Sequence, residues 1–139
     1  MIIVIRIAGM VEIPDKVQST LDHMRLRRKY AAVLYEENEE NMKLIQKVRS
    51  YVAYGSISDG NLMKLMTLRG QPVDKKKKIN VAEVISNLGK KTYEQLGIKP
   101  FFRLHPPRGG IETKNHFGVG KGVLGDHKEK INKLLEKML

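Results

Sequence analysis

The 139-residue chain has no cysteine and no tryptophan. Disulfides and thiolate metal sites are therefore excluded, and the lack of bridges fits a reducing compartment. Aromatic residues make up only 6% of the chain, which predicts a modest, aliphatic core. Long apolar runs are missing as well. The most apolar stretch, MIIVIRIAGM, is broken by Arg6 and is too short to cross a membrane. No basic residue precedes its apolar part, so it is expected to be a strand and not a signal peptide. Serine is scarce and no GxSxG motif occurs, which leaves nucleophilic hydrolysis without a candidate. His23, His105, His116 and His127 do not stand at the spacing of a zinc motif. No catalytic residue, metal site or cofactor is expected, and the chain does not read as an enzyme.

What is abundant is positive charge. There are 26 Lys and Arg against 15 Asp and Glu, a net charge of +11 and an isoelectric point near 9.9. Such a balance implies a polyanionic partner. Nucleic acid is the commonest for a small chain, and an anionic membrane surface is the lesser option. The charge is uneven: residues 1–57 carry nine Lys/Arg and seven Asp/Glu, a balance of +2, and residues 58–139 carry 17 and eight, a balance of +9. The second part is the larger electrostatic footprint.

The apolar pattern predicts β-α-β-α-β over residues 1–57. Ile2 to Ala8 forms a strand with Ile3, Ile5 and Ile7 on one face. Pro14 opens a helix lined by Val17, Leu21 and Met24. Ala31 to Tyr35 is a second strand. Asn38 caps a second helix, with Glu39 and Glu40 in its first turn and Met42, Ile45 and Val48 along it. Tyr51 to Tyr54 is a third strand ending before Gly55. Residues 58–139 read as short helices and loops. Ser58 caps a helix through Leu62, Leu65 and Met66 to Gly70. Asn80 and Glu83 form a capping box for a helix to Leu88, and Thr92 with Gln95 repeats the pattern. Lys99 to Leu104 is a candidate strand, with Pro100 suited to its start or to an edge. Asp126 and Glu129 are expected to cap a last helix whose Ile131, Leu134, Leu135 and Met138 face inward.

Two segments concentrate chemistry suited to phosphate. The first is Arg25-Leu-Arg27-Arg28-Lys29, four cations in five residues between the first helix and the second strand. A helix C-terminus explains some positive charge there, but clustered Arg/Lys is the mark of backbone contact. The second is PPRGGIETKNHFGVGKGVLGD, Pro106 to Asp126, with six of the chain's 12 glycines and no apolar periodicity. It is expected to be a long irregular loop in which Gly109 and Gly110 allow close approach to phosphate. Arg108, Lys114 and Lys121 supply charge, and His116 and Phe117 offer stacking surfaces. The lysine run Lys75, Lys76, Lys77 and Lys78 is equally a phosphate contact or a solvated loop. Gly120-Lys-Gly122-Val-Leu-Gly125 matches GxGxxG literally. It lacks the buried strand before it and the acidic residue beyond it that a dinucleotide site requires. A nucleotide-binding regulator using Gly120–Gly125 stays open as an alternative, as does an RNA-binding regulator free of any larger particle.

The chain resembles the family of large-subunit ribosomal protein number thirty, universal L-thirty, in its archaeal and eukaryotic long form. The resemblance rests on the IRIAG strand, on LDHMRLRRKYAAVLYE and NMKLIQKVRSYVAYG, and on LMKLMTLRG, INVAEVISNLGK, FFRLHPPRGG, NHF and INKLLEKML. VAYG, NLGK and PPRGG in this order are specific together. The chain begins directly at its first strand, without the long basic extension of the eukaryotic pattern, as expected of an archaeal form. The resemblance implies an α+β fold: a three-stranded antiparallel sheet with packed helices, related to ferredoxin-like folds. It divides the chain into a core at residues 1–57 and a basic helical and loop-rich extension at residues 58–139 that returns to that core. It also implies a non-enzymatic constituent of the large ribosomal subunit in the cytoplasm. The expected partners are large-subunit rRNA, 5S rRNA and neighbouring ribosomal proteins, with no membrane and no small-molecule substrate.

Overall fold

The computed structural model of the chain describes residues 2–7, 13–36, 38–69, 101–107, 112–116 and 122–139. Strand β1 (Ile2–Arg6) lies at the centre of an antiparallel trio with β2 (Ala31–Tyr35) and β3 (Val52–Ser56). Helix α1 (Asp15–His23) joins β1 to β2, and α2 (Glu39–Lys47) joins β2 to β3. The predicted β-α-β-α-β order is therefore observed. Its signals are local ones. Pro14 occupies the N-cap of α1 and its carbonyl accepts the Gln18 N–H at 3.0 Å. The Asn38 side chain caps α2 by accepting the Asn41 N–H at 2.8 Å. Helix α3 (Asp59–Arg69) follows, and the Ser58 hydroxyl accepts the Asn61 N–H at 3.3 Å. The third strand runs on through Gly55 to Ser56, past its expected end.

Among the described residues the antiparallel trio is extended into a six-stranded sheet. Its order is β4-β2-β1-β3-β6-β5, with β4 at Phe102–Arg103, β5 at Glu112–His116 and β6 at Gly122–Asp126. β4 pairs antiparallel with the outer edge of β2, and β6 pairs parallel with the outer edge of β3. The expectation of an irregular loop over 106–125 is corrected here, because that stretch contributes two parallel strands. A glycine-rich strand carries little intrinsic β preference. It orders because β3 presents an unpaired row of backbone donors and acceptors for it to join. Gly125 pairs with Ala53 while holding φ at 98°, a conformation that favours glycine. Asp126 is likewise corrected: it ends β6 and does not cap the last helix. Its carboxylate accepts the Lys128 N–H at 2.8 Å, opening a 3₁₀ turn at Lys128–Lys130. Helix α4 (Ile131–Met138) begins after that turn.

Both faces of the sheet are covered, so its central strand is apolar almost throughout. Ile2 and Val4 face a cluster with Leu21, Met24, Leu26, Ile45 and Val48, supplied by α1, α2 and their ends. Ile3, Ile5 and Ile7 face the opposite cluster, closed by α3 and α4. Ile131, Leu134, Leu135 and Met138 are all buried there, as their helical spacing predicts. Each such side chain contributes about 1.5–3 kcal/mol of burial. Asn132 stitches α4 to the β3–α3 junction: its Oδ1 accepts the Ser58 N–H at 2.9 Å and the Asn61 amide at 3.0 Å. At Gly55 the approach is tight. An added Cβ would collide with the Lys128 carbonyl and come within 2.8 Å of the Ile131 Cβ. His105, just beyond β4, donates its backbone N–H to the Met138 carbonyl at 3.1 Å, tying the other sheet edge to the end of α4.

The helix expected at Asn80–Leu88, the turn at Thr92–Gln95 and Pro100 lie outside the described residues.

Candidate nucleic-acid interface

The basic turn Arg25–Lys29 is held in place from beneath by a buried cation. Arg6 ends β1 with no solvent exposure. Its guanidinium donates to the Leu26 carbonyl at 2.6 Å and to the Gln18 side chain at 3.0 Å. Gln18 in turn donates to Asp22 at 2.9 Å. Burial lowers the Arg6 pKa, and the nearby Asp22 carboxylate opposes that shift. The Arg6 carbonyl accepts the Tyr30 N–H at 2.7 Å, so both the start and the end of the turn are fastened to one residue.

The turn itself opens with a Schellman motif. The Leu26 N–H donates to the Leu21 carbonyl at 2.9 Å and the Arg25 N–H to the Asp22 carbonyl at 3.1 Å. Leu21 and Leu26 are both fully buried beneath it. The left-handed position of this motif usually takes glycine, yet here it is Arg25, with φ at 68°. Tyr30 also has positive φ, at 65°. Two non-glycine residues in this region carry a cost of about 1 kcal/mol or more each. The result is a held turn whose Arg25, Arg27, Arg28 and Lys29 are all exposed.

Strand β4 brings further groups beside that turn. Arg103 pairs with Ala31, and the Leu104 N–H donates to the Tyr30 carbonyl at 3.1 Å. Alternation along the strand buries Phe102 and Leu104 on the α3/α4 side. Phe101 and Arg103 consequently lie on the side of the basic turn. There the four turn cations, Tyr30, Phe101 and Arg103 line a cleft of about 330 Å³. Lys29 Nζ stands 5.1 Å from the centre of the Tyr30 ring, and the Arg103 guanidinium carbon 5.7 Å from the centre of the Phe101 ring. Tyr30, Phe101 and Arg103 were not among the residues that charge clustering selects. The signal for them is the sequence Phe-Phe-Arg-Leu, whose period of two buries one pair and leaves an aromatic and a cation on the opposite side.

The other expected contacts fall elsewhere. Lys114 and His116 belong to β5, at the opposite edge of the sheet from β4. Five strand spacings separate those edges, roughly 24 Å. The structure therefore does not bring Lys114 and His116 to the Arg25–Lys29 turn. Lys75, Lys76, Lys77, Lys78, Arg108, Gly109, Gly110, Phe117 and Lys121 lie outside the described residues. Of the GxGxxG glycines, Gly122 and Gly125 lie within strand β6. A dinucleotide fingerprint needs its glycines in a turn from a strand into a helix, so the geometry here does not serve a nucleotide site.

Comparison with known proteins agrees with this architecture. Residues 2–52 match the family described as Ribosomal protein L30p/L7e. The chain is 35% identical to large ribosomal subunit protein uL30 of Archaeoglobus fulgidus, with 99% of each chain covered. It is 36% identical to uL30 of Aeropyrum pernix, covering 98% of this chain and 97% of the relative. Against uL30 of Ignicoccus hospitalis it is 37% identical, over 99% of this chain and 96% of the relative. Similarity at this level over nearly full length, on both chains, places the protein in the uL30 family of large ribosomal subunit proteins.

Proposed function

We propose that the protein is a structural, non-enzymatic constituent of the large ribosomal subunit that binds rRNA in the cytoplasm. The observation that carries this reading is the cleft at the β4 edge. Five exposed cations, Arg25, Arg27, Arg28, Lys29 and Arg103, converge there on two aromatic rings. The family to which the chain belongs supplies the setting, since its relatives are named for the large ribosomal subunit. Lys and Arg at the turn neutralise phosphates and release counterions. The held backbone of the turn fixes their spacing before RNA arrives, which reduces the ordering cost of binding.

The same reading assigns phosphate contacts to Lys75–Lys78, to Arg108, Gly109 and Gly110, and to Lys114 and Lys121, and base stacking to His116 and Phe117. Of these, Lys114 and His116 stand on β5, at the sheet edge opposite β4. Residues 1–57 serve as the core and residues 58–139 as the extension that adds RNA-facing charge. The expected partners are large-subunit rRNA, including 5S rRNA, and adjacent ribosomal proteins.

Sedimentation of a cell extract on a density gradient tests the reading. The protein is expected to travel with large subunits at low salt and to leave them in the triple variant Arg25→Ala, Arg27→Ala, Arg28→Ala. A protein that stays at the top of the gradient is a free regulator, and the proposal is then wrong.

A further inference from the structure

The cleft differs from a surface built only to neutralise a duplex backbone. A duplex is met by cations spread along a face. Here the cations surround a concavity whose walls include two aromatic rings. Tyr30 packs against the core cluster on the α3/α4 side and Phe101 against that on the α1/α2 side. Both rings are half-buried, with part of each left open to the cleft. The volume of about 330 Å³ is at the small end of ligand sites, which run from about 300 to 1,000 Å³. It has room for one nucleotide unit and not for a helix.

From this geometry we infer that the cleft holds a single unstacked nucleotide of a single-stranded or bulged RNA segment. The inference rests on the RNA-binding reading above and names the form of RNA that this site takes. The base stacks on the guanidinium of Arg103, which itself lies over the Phe101 ring and is held by it. Its flanking phosphates meet the turn cations. Base stacking of this kind is tolerant of sequence, because every base has a π-face. The site thus selects for an exposed base without selecting which base. Free nucleotides share the same chemistry, but they lack the flanking phosphates that the turn cations reach.

Binding of the full chain to a labelled oligouridylate and to an RNA duplex of equal phosphate count, at one ionic strength, tests the inference. The wild-type protein is expected to favour the single strand by roughly 5-fold or more, the effect of one stacked base. Phe101→Leu is expected to lower single-strand affinity by more than duplex affinity, and so to remove that preference. Phe101→Tyr keeps a ring and is expected to keep the preference, which separates stacking from a folding defect. Uridine monophosphate at equal concentration is expected not to displace the oligonucleotide. A wild-type protein that binds the duplex as tightly as the single strand overturns the inference and leaves the RNA-binding reading intact. An equal loss of both affinities in Phe101→Leu also overturns it, as does displacement by uridine monophosphate. If neither RNA binds in a salt-dependent manner, the RNA-binding reading falls and the inference falls with it.

Discussion

The two faces of the central sheet are closed by different means. The α1/α2 face is covered by helices that connect directly to the strands beneath them. The α3/α4 face needs Phe102, Leu104, Leu124 and the whole inner row of α4, all distant in sequence from β1. Residues 1–57 contain every strand of the antiparallel trio, yet by themselves they leave Ile3, Ile5 and Ile7 uncovered. The local face fixes the basic turn, through Arg6, and the distant face fixes the β4 edge beside it. The cleft exists only where the two meet, so each face can be disturbed separately to learn what it contributes.

The largest effect is expected on the local face. Arg6→Leu removes the buried guanidinium that holds Leu26 and Gln18 and is expected to cost roughly 3 kcal/mol, read by urea unfolding. Amide exchange should quicken in the Arg25–Tyr30 turn, and RNA affinity should fall although every surface cation remains. If the turn stays protected, Arg6 does not organise it. The distant face is tested by Gly55→Ala, whose methyl meets the Lys128 backbone and Ile131. A loss of about 2 kcal/mol is expected, with faster exchange in α4 than in β1 and β2. Uniform loosening of both faces would show that they are not separable.

A smaller and opposite effect is expected at Arg25. Arg25→Gly relieves the left-handed backbone and should raise stability by about 1 kcal/mol while weakening RNA binding. A gain of stability with unchanged binding would make Arg25 a residue of the turn alone. The smallest effect concerns pH. Burial raises the pKa of Tyr35 and of Tyr54 above the usual 10.0, opposed by Arg25 at Tyr35 and by the Gln46 hydrogen bond at Tyr54. The folded state thus holds these protons more tightly than the unfolded chain does. Their stabilisation is full below pH about 10 and is lost as pH rises through the folded values. Both rings adjoin the α1/α2 cluster, so alkaline unfolding should loosen that face first. Tyr54→Phe should flatten the decline, as followed by thermal melts at increasing pH.

Much of the local face was legible because its signals are short-range. Asn38, Ser58 and Pro14 mark helix starts within a turn of where the structure places them. The cation cluster at Arg25–Lys29 was equally plain. The strands at Glu112–His116 and Gly122–Asp126 were not, since a glycine-rich segment without alternation has no strand signature of its own. The cost of leaving the β3 edge unpaired recruits Gly122–Asp126, Glu112–His116 then pairs with that strand, and the cost is a property of the sheet. Asp126 misled for a related reason: a short acidic residue before a helix caps a turn as readily as a helix.

The order of strands and helices over the first 57 residues, the inward row of the last helix and the concentration of positive charge are properties of the sequence itself. They follow from spacing, capping and composition, which act over a few residues. The six-strand sheet, the burial of Arg6 under its own basic turn and the meeting of Phe101 and Arg103 with Arg25–Lys29 were decided by tertiary structure. Edge pairing and burial join residues far apart in the chain, and no local pattern states which edge a segment will find.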